Sequence, residues 1–245
     1  MINKNTKKYI IFTRHGERTD HVGLTPKLYK FDPELTQKGI EQAKEIGAKL
    51  RQKLVNEMGI ESDSIEIISS PFGRTLQTSK EIIKEIKPNT SDYISSVSSR
   101  DDKIYVNNLL SELIDASFCG EMPKDFLSIH TDSLILKEEL EHINLHFMNE
   151  LNKLPTIENI EECQHRMNLL IEEMVDCFFI KENKDAIVLV SHGTPIDLLN
   201  LNVQYPGPFG MKNICYCATF IHAYDSVKKE FQFIEKITPD EFNNK

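Results

Sequence analysis

Tryptophan is absent from the 245 residues, and the five cysteines (Cys119, Cys163, Cys177, Cys215, Cys217) are odd in number and scattered. That usage excludes a disulfide framework and fits reduced thiols; with no C-x-x-C pair, neither a zinc knuckle nor a dithiol redox centre is expected. Long apolar runs are missing as well. Ala186–Val190 and Tyr9–Phe12 fall far short of the ~20 residues a membrane span needs, so no membrane association is expected. No apolar core precedes Tyr9, so a secretory leader is not expected and a cytoplasmic location is the default. The chain has no internal repeat, low-complexity tract or linker. What is present is an ordinary globular composition, 40% hydrophobic with a formal charge of −9, which excludes disorder, collagen and coiled coil. Charge is uneven: the first sixty residues carry 12 Lys/Arg against 7 Asp/Glu, while the remainder is strongly acidic. Indiscriminate nucleic-acid binding is excluded on that balance. The length suits one substantial core, and we read residues 1–245 as a single domain.

Three β-rich apolar runs share one design. Lys8–Thr13 ends at Arg14-His15-Gly16, Ile65–Ser69 ends at Ser70-Pro71, and Ala186–Val190 ends at Ser191-His192-Gly193. Between them lie helical patterns: one capped by Thr36 and running to about Met58, one from Gly73 to Ile86, and one from Ile160 to Phe178. In the last, Ile160, Cys163, Met167, Leu170, Met174 and Phe178 fall on one stripe. Cys217–Ala223 and Phe231–Glu235 read as a terminal hairpin. Such alternation predicts an α/β fold, three-layer α/β/α with a mainly parallel central sheet. Residues of about 100–155 break the alternation, with an acidic helix expected near Lys137–Leu151, and are read as an insertion over the active site.

In parallel sheets ligands bind outside the carboxyl ends of the strands, so the chemistry is sought there. If the three strands are neighbours, His15 and His192 converge with Arg14, Arg18 and Arg74, the last just inside a helix start. That concentration of positive groups is unfavourable empty and reasonable around a dianionic phosphoryl group. A neutral imidazole can attack phosphorus in line, which makes His15 the candidate nucleophile. Arg14, Arg74 and His192 suit stabilisation of the equatorial oxygens, work that arginines can do without metal. A carboxyl group with a raised pKa is then required to protonate the leaving oxygen.

Thr13-Arg14-His15-Gly16-Glu17-Arg18, Leu35-Thr-Gln-Lys-Gly39-Ile-Glu-Gln-Ala43, Ser69-Ser-Pro-Phe-Gly-Arg74-Thr75 with Thr78, Leu110-Ser-Glu112 and Val190-Ser-His192-Gly193 resemble, in order, the landmarks of the histidine phosphatase superfamily, the phosphoglycerate mutase-like proteins. The resemblance spans about Lys8 to Leu199. It implies a phosphorylated His15, phosphate contacts from Arg14, Arg74 and His192, Glu112 as proton donor, and Gly16 and Gly193 as points of close backbone approach. Family mutases carry a tryptophan-containing segment after the first motif and a basic block in the insertion; both are missing here, so phosphoglycerate mutation is not expected. Asp20 and Gly193 stand where the acid-phosphatase branch has Pro and Asp, so the first branch fits better. Within it, Glu17-Arg18 and Phe31-Asp-Pro-Glu-Leu-Thr36 are most similar to the phosphatase domain of the Sts (suppressor of T-cell receptor signalling) proteins. That similarity implies a phosphate contact from Arg18.

Several alternatives stay open. Glu121, in Gly120-Glu-Met-Pro123, is a second choice of acid after Glu112. His21 stands either at the pocket rim, where it would touch substrate, or in a solvated loop. His142 and His146, at i and i+4, have the spacing of metal ligands but no evident third partner, and no metal or cofactor is expected. The expected activity is metal-independent hydrolysis of phosphomonoesters, the substrate being a phosphorylated small molecule or a phosphoprotein, with a homodimer compatible. A phosphoglycerate mutase-like binding or assembly subunit and a bisphosphate-dependent mutase are the competing readings.

Overall fold

The computed structural model describes residues 7–24, 32–88, 103–114, 144–148, 158–199, 201 and 214–242. Seven strands form one mixed sheet: β1 (Lys8–Arg14), β2 (Ile65–Ser69), β3 (Lys103–Val106), β4 (Asn144–Phe147), β5 (Ala186–Ser191), β6 (Thr219–Asp225) and β7 (Glu230–Ile237), in spatial order β4-β3-β2-β5-β1-β6-β7. The first five run parallel, and β6 and β7 close the sheet antiparallel. β5 is central: Ala186–Val190 pairs with Ile65–Ser69 on one side, and Ala186–Ser191 with Tyr9–Arg14 on the other. Both β2 and β5 are buried at every position, as expected of strands covered on two faces. This register brings the ends of β1, β2 and β5 side by side.

Helices cover both faces. α1 (Gln37–Leu50), whose N-cap Thr36 accepts the Gly39 amide, and α2 (Gly73–Ile86) pack on one side; α3 (Ile160–Met174), opened by an Asn159/Glu162 capping box, packs on the other. A short α4 (Gly193–Asp197) follows β5. α1 runs on into a π-helical segment at Arg51–Glu57, and α3 does the same at Val175–Lys181. The strand pleat splits the core. Ile10, Phe12, Ile187 and Leu189 face Met167, Leu170, Met174 and Phe178 from α3 and its continuation, while Ile11, Val188 and Val190 face Ile46, Leu50, Ile82 and Ile83 of α1 and α2. The predicted stripe on α3 is buried from Cys163 onward. Ile160, at the exposed first turn, is 55% accessible and lies outside it.

Two pieces of the segment expected to interrupt the alternation continue the sheet instead. Lys103–Val106 pairs with β2, and Asn144–Phe147, where an acidic helix was expected, pairs with β3 from Lys103↔Asn144 to Val106↔Phe147. The edge of β3 offers a row of backbone partners, and ladder pairing there overrides a helical preference that Asn144, His146 and Phe147 hold only weakly. Residues 115–143 and 149–155 of the expected insertion lie outside the described residues. The terminal hairpin forms as expected, its β6–β7 register shifted once at Ile221/His222. No helix among the described residues is long and apolar enough to cross a membrane.

Candidate active site

The carboxyl ends of four neighbouring parallel strands deliver the candidate residues: Arg14 and His15 from β1, Ser70 and Arg74 from β2, Glu112 from the turn after β3, and His192 from β5. His15 is buried at 1% exposure. Its Nδ1 lies 2.8 Å from the Gly16 carbonyl, so Nδ1–H donates there and the lone pair is left on Nε2. The backbone around it is held tightly. Gly16 N–H donates to Thr78 Oγ1 (3.1 Å), which itself donates to the Arg74 carbonyl (2.8 Å). A side chain on Gly16 would place its Cβ 2.4 Å from the Gly39 carbonyl oxygen, so glycine here allows the first loop to lie against the start of α1. That is a packing reason for Gly16, separate from any approach to phosphate. At Gly193 an added Cβ would stand 3.4 Å from Arg14 Nε.

Arg74 is wholly buried. Its Nη1 donates to Asp32 Oδ1 (2.8 Å) while Asp32 Oδ2 accepts the Gly73 amide (2.6 Å), so one buried carboxylate both neutralises the guanidinium and closes the α2 N-terminus, which has no side-chain cap of its own. Arg74 Nη2 reaches His192 Nδ1 at 3.0 Å, and His192 Nε2 meets Ser70 Oγ at 2.9 Å. The imidazole therefore accepts at Nδ1 from the arginine and carries its proton at Nε2. The two histidine rings stand edge to face, 5.4 Å apart. Arg14 lies 4.4 Å over the Tyr216 ring and donates Nη1–H to the Ile214 carbonyl. Buried Nε atoms of both Arg14 and Arg74 have no hydrogen-bond partner among the described residues. Unsatisfied buried donors on arginines call for a partner from outside the chain, such as a water or an anion.

Glu112 completes the group. Its Oε2 is 3.5 Å from His192 Nδ1 and 3.8 Å from Arg74 Nη2, with the side chain 17% exposed. Burial pushes its carboxyl above the ordinary range, against the opposing pull of Arg74, the Leu113 amide, Arg14 and Arg18. Burial also takes His15 well below the ordinary imidazole value, assisted by Arg74 and Arg14, and does the same to His192 beside Arg74 and His15. Both rings are neutral at pH 7, while the arginines keep their charge.

Arg18 is engaged elsewhere, giving both carboxylate oxygens of Asp20 hydrogen bonds of 2.6 Å. His21 is exposed, and its Nδ1 meets the hydroxyl of Tyr216, whose ring stands 5.8 Å from that of His15. Glu121 and His142 lie outside the described residues, and His146 is on β4 against Tyr105, where the expected helical i, i+4 relation does not hold. One grouping among the described residues has metal-ligand spacing: donor atoms of His15, Glu112 and His192 within 4.8 Å of one another. It fits a cation poorly. The His192 Nδ1 lone pair is taken by Arg74, and three guanidiniums surround the group, an environment that favours an anion.

Sequence reasoning overlooked Asp32, Ser70 and Tyr216. A clue to the first existed, since an Asp before Pro and ahead of a capped helix is a frequent local bonding residue. Nothing local marked Tyr216, which reaches the site only through the antiparallel return of β6.

Fold and site together define an α/β protein with two neutral histidines and an arginine cluster at the carboxyl edge of a mainly parallel sheet. Residues 10–94 match the model of the histidine phosphatase superfamily (branch 1). No curated protein matches the chain by sequence. Among solved structures it is similar to the ecdysone phosphate phosphatase EPPase from Bombix mori (15% identity, 95% of this chain and 93% of that chain, TM-score 0.59). It is also similar to a phosphoglycerate mutase from Bacillus anthracis (15%, 95% of each chain, TM-score 0.55) and to phosphoserine phosphatase from Entamoeba histolytica (17%, 95% and 98%, TM-score 0.51). At these identities the likeness is one of fold. Phosphatases and a mutase are thus among the solved structures that share this fold.

Proposed function

We propose that the chain hydrolyses phosphomonoesters through a phosphohistidine on His15, without a metal ion. The observation that carries this is the state of His15: buried, neutral, its Nδ1–H committed to the Gly16 carbonyl and its Nε2 left as nucleophile beside Arg14 and Arg74, whose Nε atoms have no partner among the described residues. In the first half of the reaction Nε2 attacks phosphorus, the P–O ester bond breaks, and the leaving oxygen takes the Glu112 proton. Arg14, Arg74 and His192 meet the charge on the equatorial oxygens, with His192 swinging from acceptor to donor if it takes up a proton. In the second half Glu112, now ionised, removes a proton from water, water oxygen attacks phosphorus, and the P–N bond breaks to release inorganic phosphate. Arg18 joins the phosphate contacts by exchanging Asp20 oxygens for phosphate oxygens in the same bidentate geometry. Gly193 opens α4 beside Arg14 and admits the phosphate near its backbone. A phosphorylated small molecule or a phosphoprotein would be the substrate.

The missing tryptophan segment supports hydrolysis over the mutase reading, and the likeness to a phosphoglycerate mutase keeps that reading testable. His15→Ala is expected to cut turnover of p-nitrophenyl phosphate by ~10³-fold or more while leaving the thermal melt in place. Activity within a few-fold of wild type would remove His15 as nucleophile. Turnover by the wild type that appears only after addition of a bisphosphate primer would replace hydrolysis by mutase chemistry.

A further inference from the structure

We infer that Arg166, on α3 and outside every motif at the strand ends, is a positioning residue for the Glu112 acid; this rests on the role proposed for Glu112 above. Glu112 follows a single 3₁₀ turn, Asn108–Leu110, which exposes its carbonyls to whatever donors lie nearby. Three consecutive carbonyls ahead of Glu112 all find side-chain donors. Arg166 Nη1 donates to the carbonyls of Leu109 (2.5 Å) and Ser111 (3.1 Å), and Ser191 Oγ donates to that of Leu110 (2.7 Å). Ser111 is the residue joined to Glu112, so its carbonyl fixes the peptide plane from which the acid projects.

Arg166 is itself held. Its Nε donates to Glu158 Oε2 (2.9 Å), its Nη2 to Glu158 Oε1 and to Cys163 Sγ (3.3 Å), and the Glu158 amide donates to the Ile114 carbonyl (2.9 Å). Both partners of this pair are buried, with side chains 8% and 7% exposed. An ion pair so placed is a poor source of stability, because desolvation of the two charges offsets their attraction and packed apolar side chains would serve as well. What an apolar pair could not do is give two carbonyls hydrogen bonds from one end of a guanidinium whose other edge is held by Glu158. The pair thus clamps the acid turn at both ends, Leu109 to Ser111 through Arg166 and Ile114 through Glu158, and sets the carboxyl 3.5 Å from His192. General acid catalysis needs the donor within hydrogen-bond reach of the leaving oxygen, so a loosened turn costs most where that proton matters most.

The test uses leaving-group dependence. Arg166→Lys keeps a charge beside Glu158, but one ammonium cannot hold both Glu158 oxygens and the Leu109 and Ser111 carbonyls at the same time. Against an alkyl phosphate its kcat is expected to fall by ~30-fold or more, against p-nitrophenyl phosphate by less than ~5-fold, the same selectivity as Glu112→Gln in weaker form. Equal losses on the two esters, or no loss, would overturn the inference, since a merely structural residue would not distinguish leaving groups. Should the lysine variant fail to fold, Ser191→Ala, which removes only the Leu110 tether, is measured for the same ratio, and an unchanged ratio overturns it equally. Glu112→Gln with no leaving-group selectivity, in an enzyme whose wild type turns over, would instead bring down the acid assignment itself.

Discussion

Asp32 shows how one buried carboxylate can organise a positive site. It is fully buried, and by accepting from both Gly73 and Arg74 it fixes the guanidinium plane so that Nη2 meets His192, while Nε has no partner among the described residues. Glu112 is the opposite case, a carboxyl with no full counter-charge of its own, which burial holds protonated above the ordinary carboxylate range. The direction of that shift sets a pH dependence. The acid form is the working form, so kcat for an alkyl phosphate is expected to decline as pH rises through the raised Glu112 pKa. An aryl ester, whose leaving oxygen needs no proton, should keep its rate over the same interval. Parallel pH profiles for the two esters, measured across pH 5 to about 9, would contradict the role of Glu112.

At the scale of elements, much of the site could be read before the structure. β1, β2, β5, α1, α2 and α3 were legible because each carries one unbroken period, alternation by apolar runs in the strands and three-to-four spacing in the helices. Adjacency of three strand ends followed from parallel alternation, which is why Arg14, His15, Arg74 and His192 were found together. β4 was not legible. Its four residues pair only with an edge whose existence depends on β3, and no local pattern reports a non-local ladder. Arg166 was overlooked for a related reason: on the helix it reads as one more charge between apolar positions, and its value comes from carbonyls more than fifty residues away in sequence. Gly16 was noticed for phosphate approach, whereas the structure shows it is also required by the Gly39 backbone of α1, a contact between elements that no single motif displays.

At the scale of the whole fold, three buried histidines among the described residues have imidazoles below the ordinary value: His15, His192 and His222. His222 stands between the Phe12 and Phe233 rings, each 5.7 Å away, and burial takes it down to about 4. For such groups the unfolded chain binds protons more readily than the folded one. Stability is therefore complete above the unfolded value near ~6.5 and is lost as pH falls toward the folded values, at up to ~1.4 kcal/mol per pH unit for each proton taken up. Glu112 opposes this at lower pH, since its folded pKa is raised and its folded form binds a proton sooner. Denaturant unfolding between pH 7 and about 4.5 is expected to show a loss of stability that His222→Gln makes shallower. A slope unchanged by that substitution would contradict the buried, neutral assignment of His222.

The central claim concerns one covalent bond, between His15 Nε2 and phosphorus. The wild-type protein is mixed with p-nitrophenyl phosphate in EDTA, quenched in alkali within the first turnovers, and its peptides are weighed. The expected result is turnover with an acid-labile phosphate on the peptide bearing His15, absent from His15→Ala. Turnover with phosphate on no residue, or on another residue, or turnover that requires an added metal ion, would contradict it.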